Sequence, residues 1–258
     1  LPVDEDGAQL DSTAKRSSAP KLVYLTPSHQ FPIGATLSID RRLGFIEWAS
    51  KNDSWILEDD YDSEYRYAQR PVPSMQGLDD CGRTIYLGSL SKVVFPGLSM
   101  AYMVVPDSLK TAFHAAISVG SSPASIIDQL TLCEFIKQGH FARHLRRMRK
   151  THKVRRDVFS KCIERTLSQK VQVIGSNAGL HCSALLTDMV NASDESVCQD
   201  LQAMNLTVRP LSRYYLPETP TQEVLSGLVL GFAHARPGEI KWAVGQLAKA
   251  VKSASDKE

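Results

Sequence analysis

The chain is poor in the features that tie proteins to membranes, metals or disulfide scaffolds. Five cysteines occur in 258 residues, and Cys81, Cys133, Cys162, Cys182 and Cys198 are scattered with no Cys-x-x-Cys spacing. Their odd number and spacing argue against a disulfide framework or a zinc site and point to a reducing, cytoplasmic setting. The seven histidines show no metal-ligand spacing on a shared face, so no metal site is expected. No apolar run approaches the roughly 18 residues of a membrane span, so no membrane partner is expected. Net charge is only +2, from 30 basic and 28 acidic residues, and bulk electrostatics favours neither nucleic acid nor an anionic surface. Leu1 to Gly7 has no basic-then-apolar signal pattern. The missing initiator methionine gives the expectation of a fragment or processed piece.

What is present is a run of short apolar strands punctuated by helices. Residues 1–20 are polar and read as loop. Lys21 to Thr26, Ser54 to Asp59, Thr84 to Gly88 and Met100 to Val105 read as strands, and Gln69 to Gly82 as a Pro/Gly-punctuated loop. Leu43, Phe45, Ile46, Trp48 and Ala49 recur at near-helical spacing between Ser38 and Asn52. Leu109 to about Val119 reads as a helix, and a long helical stretch runs from about Ala124 to Leu167, broken near Gly139. Further on, Lys170 to Ile174, Gly179 to Leu186, Leu206 to Pro210 and Leu228 to Phe232 read as strands. Asp194 to Met204 and Pro237 to Lys252 read as helices, the last opened by a proline at a favourable first-turn position. Alternating strands and helices predict an α/β layer with a largely parallel sheet, whose ligands collect beyond the carboxyl ends of the strands.

Chemistry-bearing residues fall at those ends. Lys92 sits on the turn Ser89-Leu90-Ser91-Lys92 after one strand, and Asp59 and Tyr61 close another. A lysine amine, a carboxylate and a phenol so placed are what pyridoxal 5'-phosphate chemistry requires: a Schiff-base lysine, a carboxylate for the pyridine nitrogen and a tyrosine for the ring's phenolic oxygen. The carboxylate bond to a protonated ring nitrogen is worth about 1.5–3 kcal/mol. Ser89 and Ser91 can hold a phosphate ester with backbone N–H groups. The competing readings are a surface turn for Lys92, a solvated acid for Asp59, a packing tyrosine for Tyr61 and ordinary turn polarity for the serines. Asp62 and Glu64 are expected to face solvent. Arg209 and Arg213 end a strand, and one of them can fork onto a substrate carboxylate or form a surface ion pair. The basic run from Arg143 to Arg156 lacks the aromatic interleaving of a base-stacking surface and reads as solvated helix face.

Three blocks carry a resemblance. Tyr24 to Gly34 (YLTPSHQFPIG) with Arg41-Arg42, Leu57 to Tyr67 (LEDDYDSEYRY) and Tyr86 to Leu98 (YLGSLSKVVFPGL) resemble the aminotransferase-like domain of MocR/GabR-type transcription regulators, which belong with the fold-type I, class I and II aminotransferases. The resemblance covers nearly the whole chain. It implies an α/β, PLP-dependent transferase fold: residues 1–122 as the C-terminal part of a three-layer α/β/α large domain, 123–166 as long connecting helices, and 167–258 as a small α+β C-terminal domain.

It also implies roles. Lys92 is the Schiff-base and catalytic lysine, Asp59 pairs with the pyridine nitrogen, Tyr61 with the phenolic oxygen, and Ser89 contacts the cofactor phosphate. Arg213 matches the arginine that takes an effector's carboxylate. The implied partners are an amino-acid-like small molecule, a second copy in a homodimer, and DNA through a helix-turn-helix module absent from these residues. One departure matters: the family's phosphate-gripping arginine, seven positions after the lysine, is Ser99 here. Losing that contact lowers cofactor affinity by roughly 10–100-fold. The expected function is effector sensing by a regulator. The alternatives are a working aminotransferase and a degenerate dimerisation scaffold that binds no cofactor.

Overall fold

Apolar alternation fixes the first sheet. The computed structural model describes residues 1–10, 19–67, 72–120 and 125–255. Residues 11–18 of the expected leading loop, Gln69 to Pro71 of the second loop and Ala124 at the expected helix start lie outside the described residues, as does the expected boundary at 122–123. The leading segment is not wholly loop: β1 (Val3–Asp4) and β2 (Gly7–Ala8) form a tight hairpin. Its turn closes on the Asp4 carboxylate, which accepts from the Asp6 backbone N–H at 2.9 Å, and Gly7 takes the positive φ of 96° that the return requires.

The strands β3 (Leu22–Leu25), β4 (Trp55–Asp60), β5 (Thr84–Ser89) and β6 (Ala101–Val104) form one sheet in chain order. The β3–β4 and β4–β5 pairs are parallel, whereas β6 returns antiparallel beside β5. Helix α1 (Ile39–Lys51) forms the crossover between β3 and β4 and turns Phe45, Ile46 and Ala49 inward. These pack with Val23, Leu25, Leu37, Ile56 and Met75 into the core of this half of the chain. The loop before β5 holds one further turn of helix, α2 (Met75–Leu78), capped by Ser74 Oγ accepting from Gly77 N at 3.1 Å. Too short for periodicity, it is invisible as a helix in the sequence.

Two longer helices follow, α3 (Lys110–Gly120) and α4 (Ile126–Lys137), and neither carries a buried residue. Gly139, at φ 73°, breaks the chain before α5 (His140–Leu167), as expected from its position. A second, wholly antiparallel sheet has the order β7–β8–β10–β9, from β7 (Val171–Ile174), β8 (His181–Leu186), β9 (Arg209–Pro210) and β10 (Gly227–Gly231). The expected strand from Leu206 shrinks to two residues because the chain turns into a 3-10 helix at Leu211–Tyr214. Helices α6 (Asp194–Ala203) and α7 (Pro237–Ser255) complete this part. Buried Asp194 knits it together, accepting from Ser212 N at 2.9 Å, Ser212 Oγ at 2.7 Å and Gly227 N at 3.1 Å.

Contacts divide the chain into two units: Leu1–Gln30 with Ala35–Met148, and Phe31–Gly34 with Arg149–Glu258. The division falls inside α5. Phe31–Gly34 joins the second unit because Ser183 Oγ donates to Pro32 O at 2.8 Å and the Gly175 backbone lies against Ile33 O. Among the described residues no helix is long and apolar enough to cross a membrane.

One buried ion pair braces the first unit. Arg42 on α1 and Glu58 on β4 are both fully buried, 3.7 Å apart. The guanidinium also donates to Leu37 O, Pro73 O and Pro27 O at 2.8–3.0 Å. Glu58 accepts from Met75 N and Gln76 N, both at 2.9 Å, at the start of α2. Burial pulls Arg42 down to about 10 and pushes Glu58 up. Such a pair tolerates loss of one partner badly, because the other charge is then stranded. Arg42→Ala is therefore expected to lower stability by about 3–5 kcal/mol in urea unfolding; a loss under about 1 kcal/mol contradicts the brace. Arg41, next in sequence, forks onto Asp4 at 2.5 and 2.7 Å and ties the hairpin to α1. Its hydrogen bond holds Asp4 at about 2, below its usual 3.8. A depressed carboxylate stabilises fully above its unfolded value and ceases to as pH falls through the folded one. Asp4→Asn is thus expected to lower stability by up to ~1 kcal/mol near neutrality, with the difference from the parent chain vanishing as pH falls from about 4 to about 2.

Candidate functional site

The site is laid out by the ends of two parallel strands. In β4, Ile56, Glu58 and Asp60 turn to the buried face, so Trp55, Leu57 and Asp59 must turn to the other. That second face is open: Leu22 and Tyr24 of β3, in register with Trp55 and Leu57, are 52% and 56% exposed. Asp59 therefore presents a carboxylate at the strand end on the open face. The Tyr24 hydroxyl donates to Asp59 Oδ2 in a short hydrogen bond. Burial first, then that bond and the carboxylate's charge, raise the Tyr24 phenol, which stays a donor. Asp60 on the opposite face is committed elsewhere, accepting from Tyr86 OH and Ser63 Oγ, each at 2.7 Å.

In the aligned strand Asp60 faces Gly88, so Ser89 and the lysine turn leave the sheet at the same edge as Tyr61. Gly88 has a packing reason as well: a Cβ there would lie 2.2 Å from the Tyr102 ring of β6, which covers it. Leu90 O accepts from Val93 N at 3.2 Å and Val94 N at 2.8 Å, winding Ser91 to Val94 into a tight turn. Val93 is buried and anchors it. Its carbonyl receives Tyr65 OH at 3.3 Å and His144 Nε2 at 3.0 Å, and Tyr65 also reaches Lys92 O at 3.5 Å. The backbone beneath Lys92 is thus held from two sides while its side chain is exposed. Among the described residues no carboxylate lies within 4.0 Å of its ammonium. Ser89 and Ser91 flank it, half-buried.

The structure locates each expected site residue. Asp59, Tyr61, Ser89, Ser91 and Lys92 gather on the ends of β4 and β5 in the first unit. Tyr61 is held by its hydroxyl donating to His29 O at 2.7 Å; burial, then the charges of Asp62 and Asp59, raise the phenol and keep its proton on. Arg213 belongs to the second unit, on the 3-10 helix after β9, where its exposed guanidinium pairs with Glu195 at 3.2 Å. Ser99 is exposed and in the left-handed region at φ 46°, closing the Pro96–Leu98 turn.

Sequence reasoning missed the second layer. Asp62, expected to face solvent, is buried and pairs with buried His29 at 3.0 Å. Arg66 Nη2 donates to Ser28 O at 3.1 Å. These bonds join the Thr26–His29 segment to the Tyr61–Arg66 segment. Tyr24 was legible in principle, since strand parity places it on the Asp59 face. Tyr65 and His144 gave no signal, because both act through a backbone carbonyl far off in sequence.

The residues present fit a pyridoxal phosphate: an accessible carboxylate, an unpaired lysine on a braced turn, and two hydroxyls flanking it. No family model matches the chain. It is 36% identical over 252 residues to the uncharacterized HTH-type transcriptional regulator YdeL of Bacillus subtilis (strain 168), covering 98% of this chain and 53% of that protein. It is 37% identical over 250 residues to the probable rhizopine catabolism regulatory protein MocR of Rhizobium meliloti, covering 97% and 49%. The chain thus spans about half the length of the curated relatives it matches. Among solved structures, Pyrococcus horikoshii kynurenine aminotransferase, crystallised with PMP, superposes with a TM-score of 0.87 at 25% identity, over 98% of this chain and 63% of that one. An archaeal alanine:glyoxylate aminotransferase gives 0.84 at 26% identity, over 98% and 63%. The chain has the fold-type I aminotransferase fold and is similar, along nearly its whole length, to about half of each of these HTH-type and MocR transcription regulators.

Proposed function

We propose that this chain binds pyridoxal 5'-phosphate and is the effector-sensing part of a transcription regulator. The observation that carries the cofactor reading is the parity of β4: Glu58 inside places Asp59 outside, at the strand edge shared with the Lys92 turn; the regulator role is supported by the relatives. When bound, the cofactor supplies an aldehyde carbon and an electron-withdrawing ring. Lys92, once its ammonium gives up a proton, would be the amine that holds that carbon, the aldehyde oxygen leaving as water. Asp59 keeps the ring nitrogen protonated by a charge-assisted hydrogen bond, and Tyr24 holds the carboxylate in place. Tyr61 is the partner for the phenolic oxygen, and Ser89 and Ser91 for phosphate oxygens. With Ser99 in place of a cation, the phosphate is held less tightly than an arginine would hold it.

The effector is an amino-acid-like molecule whose amine exchanges with Lys92. Arg213 is its proposed carboxylate partner; the exposed Glu195 pair it would exchange is worth only about 0–1 kcal/mol. Sensing requires that the effector favour one conformation of the domain over another. The relatives' names support DNA as the output, through a module outside these residues; the proposed working form is a homodimer in the cytoplasm.

Adding pyridoxal phosphate to the chain is expected to produce a visible absorbance band that Lys92→Ala abolishes. Asp59→Ala is expected to weaken binding by roughly 10–100-fold. An amino compound should then shift the band without steady turnover of a keto acid. Steady turnover means an aminotransferase instead, and a parent chain that gives no band contradicts cofactor binding altogether.

A further inference from the structure

We infer that the first three turns of α5 form a contact surface for the phosphate backbone of double-stranded DNA. The stretch from His140 to Arg156 contains Arg143, Arg146, Arg147, Arg149, Lys150, Lys153, Arg155 and Arg156 and no acidic residue. It forms part of one continuous 28-residue helix. Arg143, Arg146, Lys150 and Lys153, at i, i+3, i+7 and i+10, line a single stripe, and all four are exposed. Buried His152 and Phe159 lie on the opposite side of the helix.

Two physical costs attach to this stripe. Like charges three and four residues apart repel. Cations near a helix N-terminus also oppose the macrodipole, and Arg143 sits in the first turn. Some exposed helix cations have carboxylates at hand, Lys51 with Glu47 at 2.6 Å and Lys137 with Glu134 at 3.5 Å, and within the stripe itself Lys153 meets Asp157 at 3.1 Å. Among the described residues, Arg143, Arg146 and Lys150 have no carboxylate within 4.0 Å. With a net charge of only +2 for the chain, this is a local field aimed at an external polyanion.

The geometry selects the partner. Seven residues of helix separate Arg143 from Lys150, about 10 Å at 1.5 Å per residue, which matches the axial rise of about three base pairs at roughly 3.4 Å each. Arginine forks match phosphate oxygens. The stripe carries no aromatic residue for stacking unpaired bases, and a duplex backbone needs none. The choice of DNA over an acidic protein rests on the regulator reading above, which puts DNA beside this domain.

The test is fluorescence anisotropy of a labelled 20-base-pair duplex with the full chain, at 50 to 200 mM salt. Three neutralised phosphates predict a log–log salt slope of about −2.7, or roughly 40-fold weaker binding across that range. Arg143→Gln/Arg146→Gln/Lys150→Gln should bring the slope close to zero. The charge-preserving Arg143→Lys/Arg146→Lys variant should keep it, and both variants should keep the circular dichroism of the parent. Salt-insensitive binding, an unchanged slope in the triple variant, or equal displacement by polyglutamate overturns the inference. The cofactor absorbance band, read on the same samples, separates the outcomes: a band without salt-dependent DNA binding sinks this surface and leaves the regulator reading standing, whereas DNA binding without a band sinks cofactor sensing alone.

Discussion

The site depends on one buried contact, the Arg42–Glu58 pair beneath the first sheet. A strand has a side-chain period of two, so holding Glu58 inside obliges Asp59 to point outward. A one-residue slip would turn Asp59 into the core and Glu58 to the open face. Arg42 makes such a slip costly: it binds three backbone carbonyls as well as Glu58, and Glu58 in turn holds the start of α2. The least solvated charges in this unit thereby set the orientation of its most useful one.

A second set of bonds freezes the backbone around the site while leaving the Lys92 amine exposed. His29 with Asp62, Arg66 with Ser28, and Tyr61 with His29 O fasten the segment after β3 to the segment after β4. Tyr65 and His144 meet on Val93 O, one residue from Lys92. Preorganisation of this kind removes the cost of ordering a nucleophile when a ligand arrives. It serves a sensor and an enzyme equally, so the regulator reading leans on the relatives rather than on the turn.

Strands β3, β4 and β5, helix α1 and the Gly139 break were legible because each has a local cause: alternation, a 3.6-residue period, a glycine in the left-handed region. Lys92, Asp59 and Tyr61 were legible as chemistry-bearing types at strand ends. What was hidden acts through the backbone or across long separations. The β1–β2 hairpin is too short for a pattern, and α2 is a single turn. Asp62 looked solvated within an acidic cluster because its partner His29 lies 33 residues upstream. The strand expected from Leu206 gave way to Pro210 and a 3-10 turn, a case of turn geometry overriding apolar content.

The central claim is that Asp59, and not its neighbour Asp60, holds the proton on a bound pyridine ring. Nitrogen-15 NMR of the chain loaded with ring-labelled pyridoxal phosphate tests it directly. A protonated ring nitrogen should be seen in the parent chain and in Asp60→Asn, and should be lost in Asp59→Asn. A nitrogen signal that survives in Asp59→Asn and disappears in Asp60→Asn would contradict the parity on which the site is built.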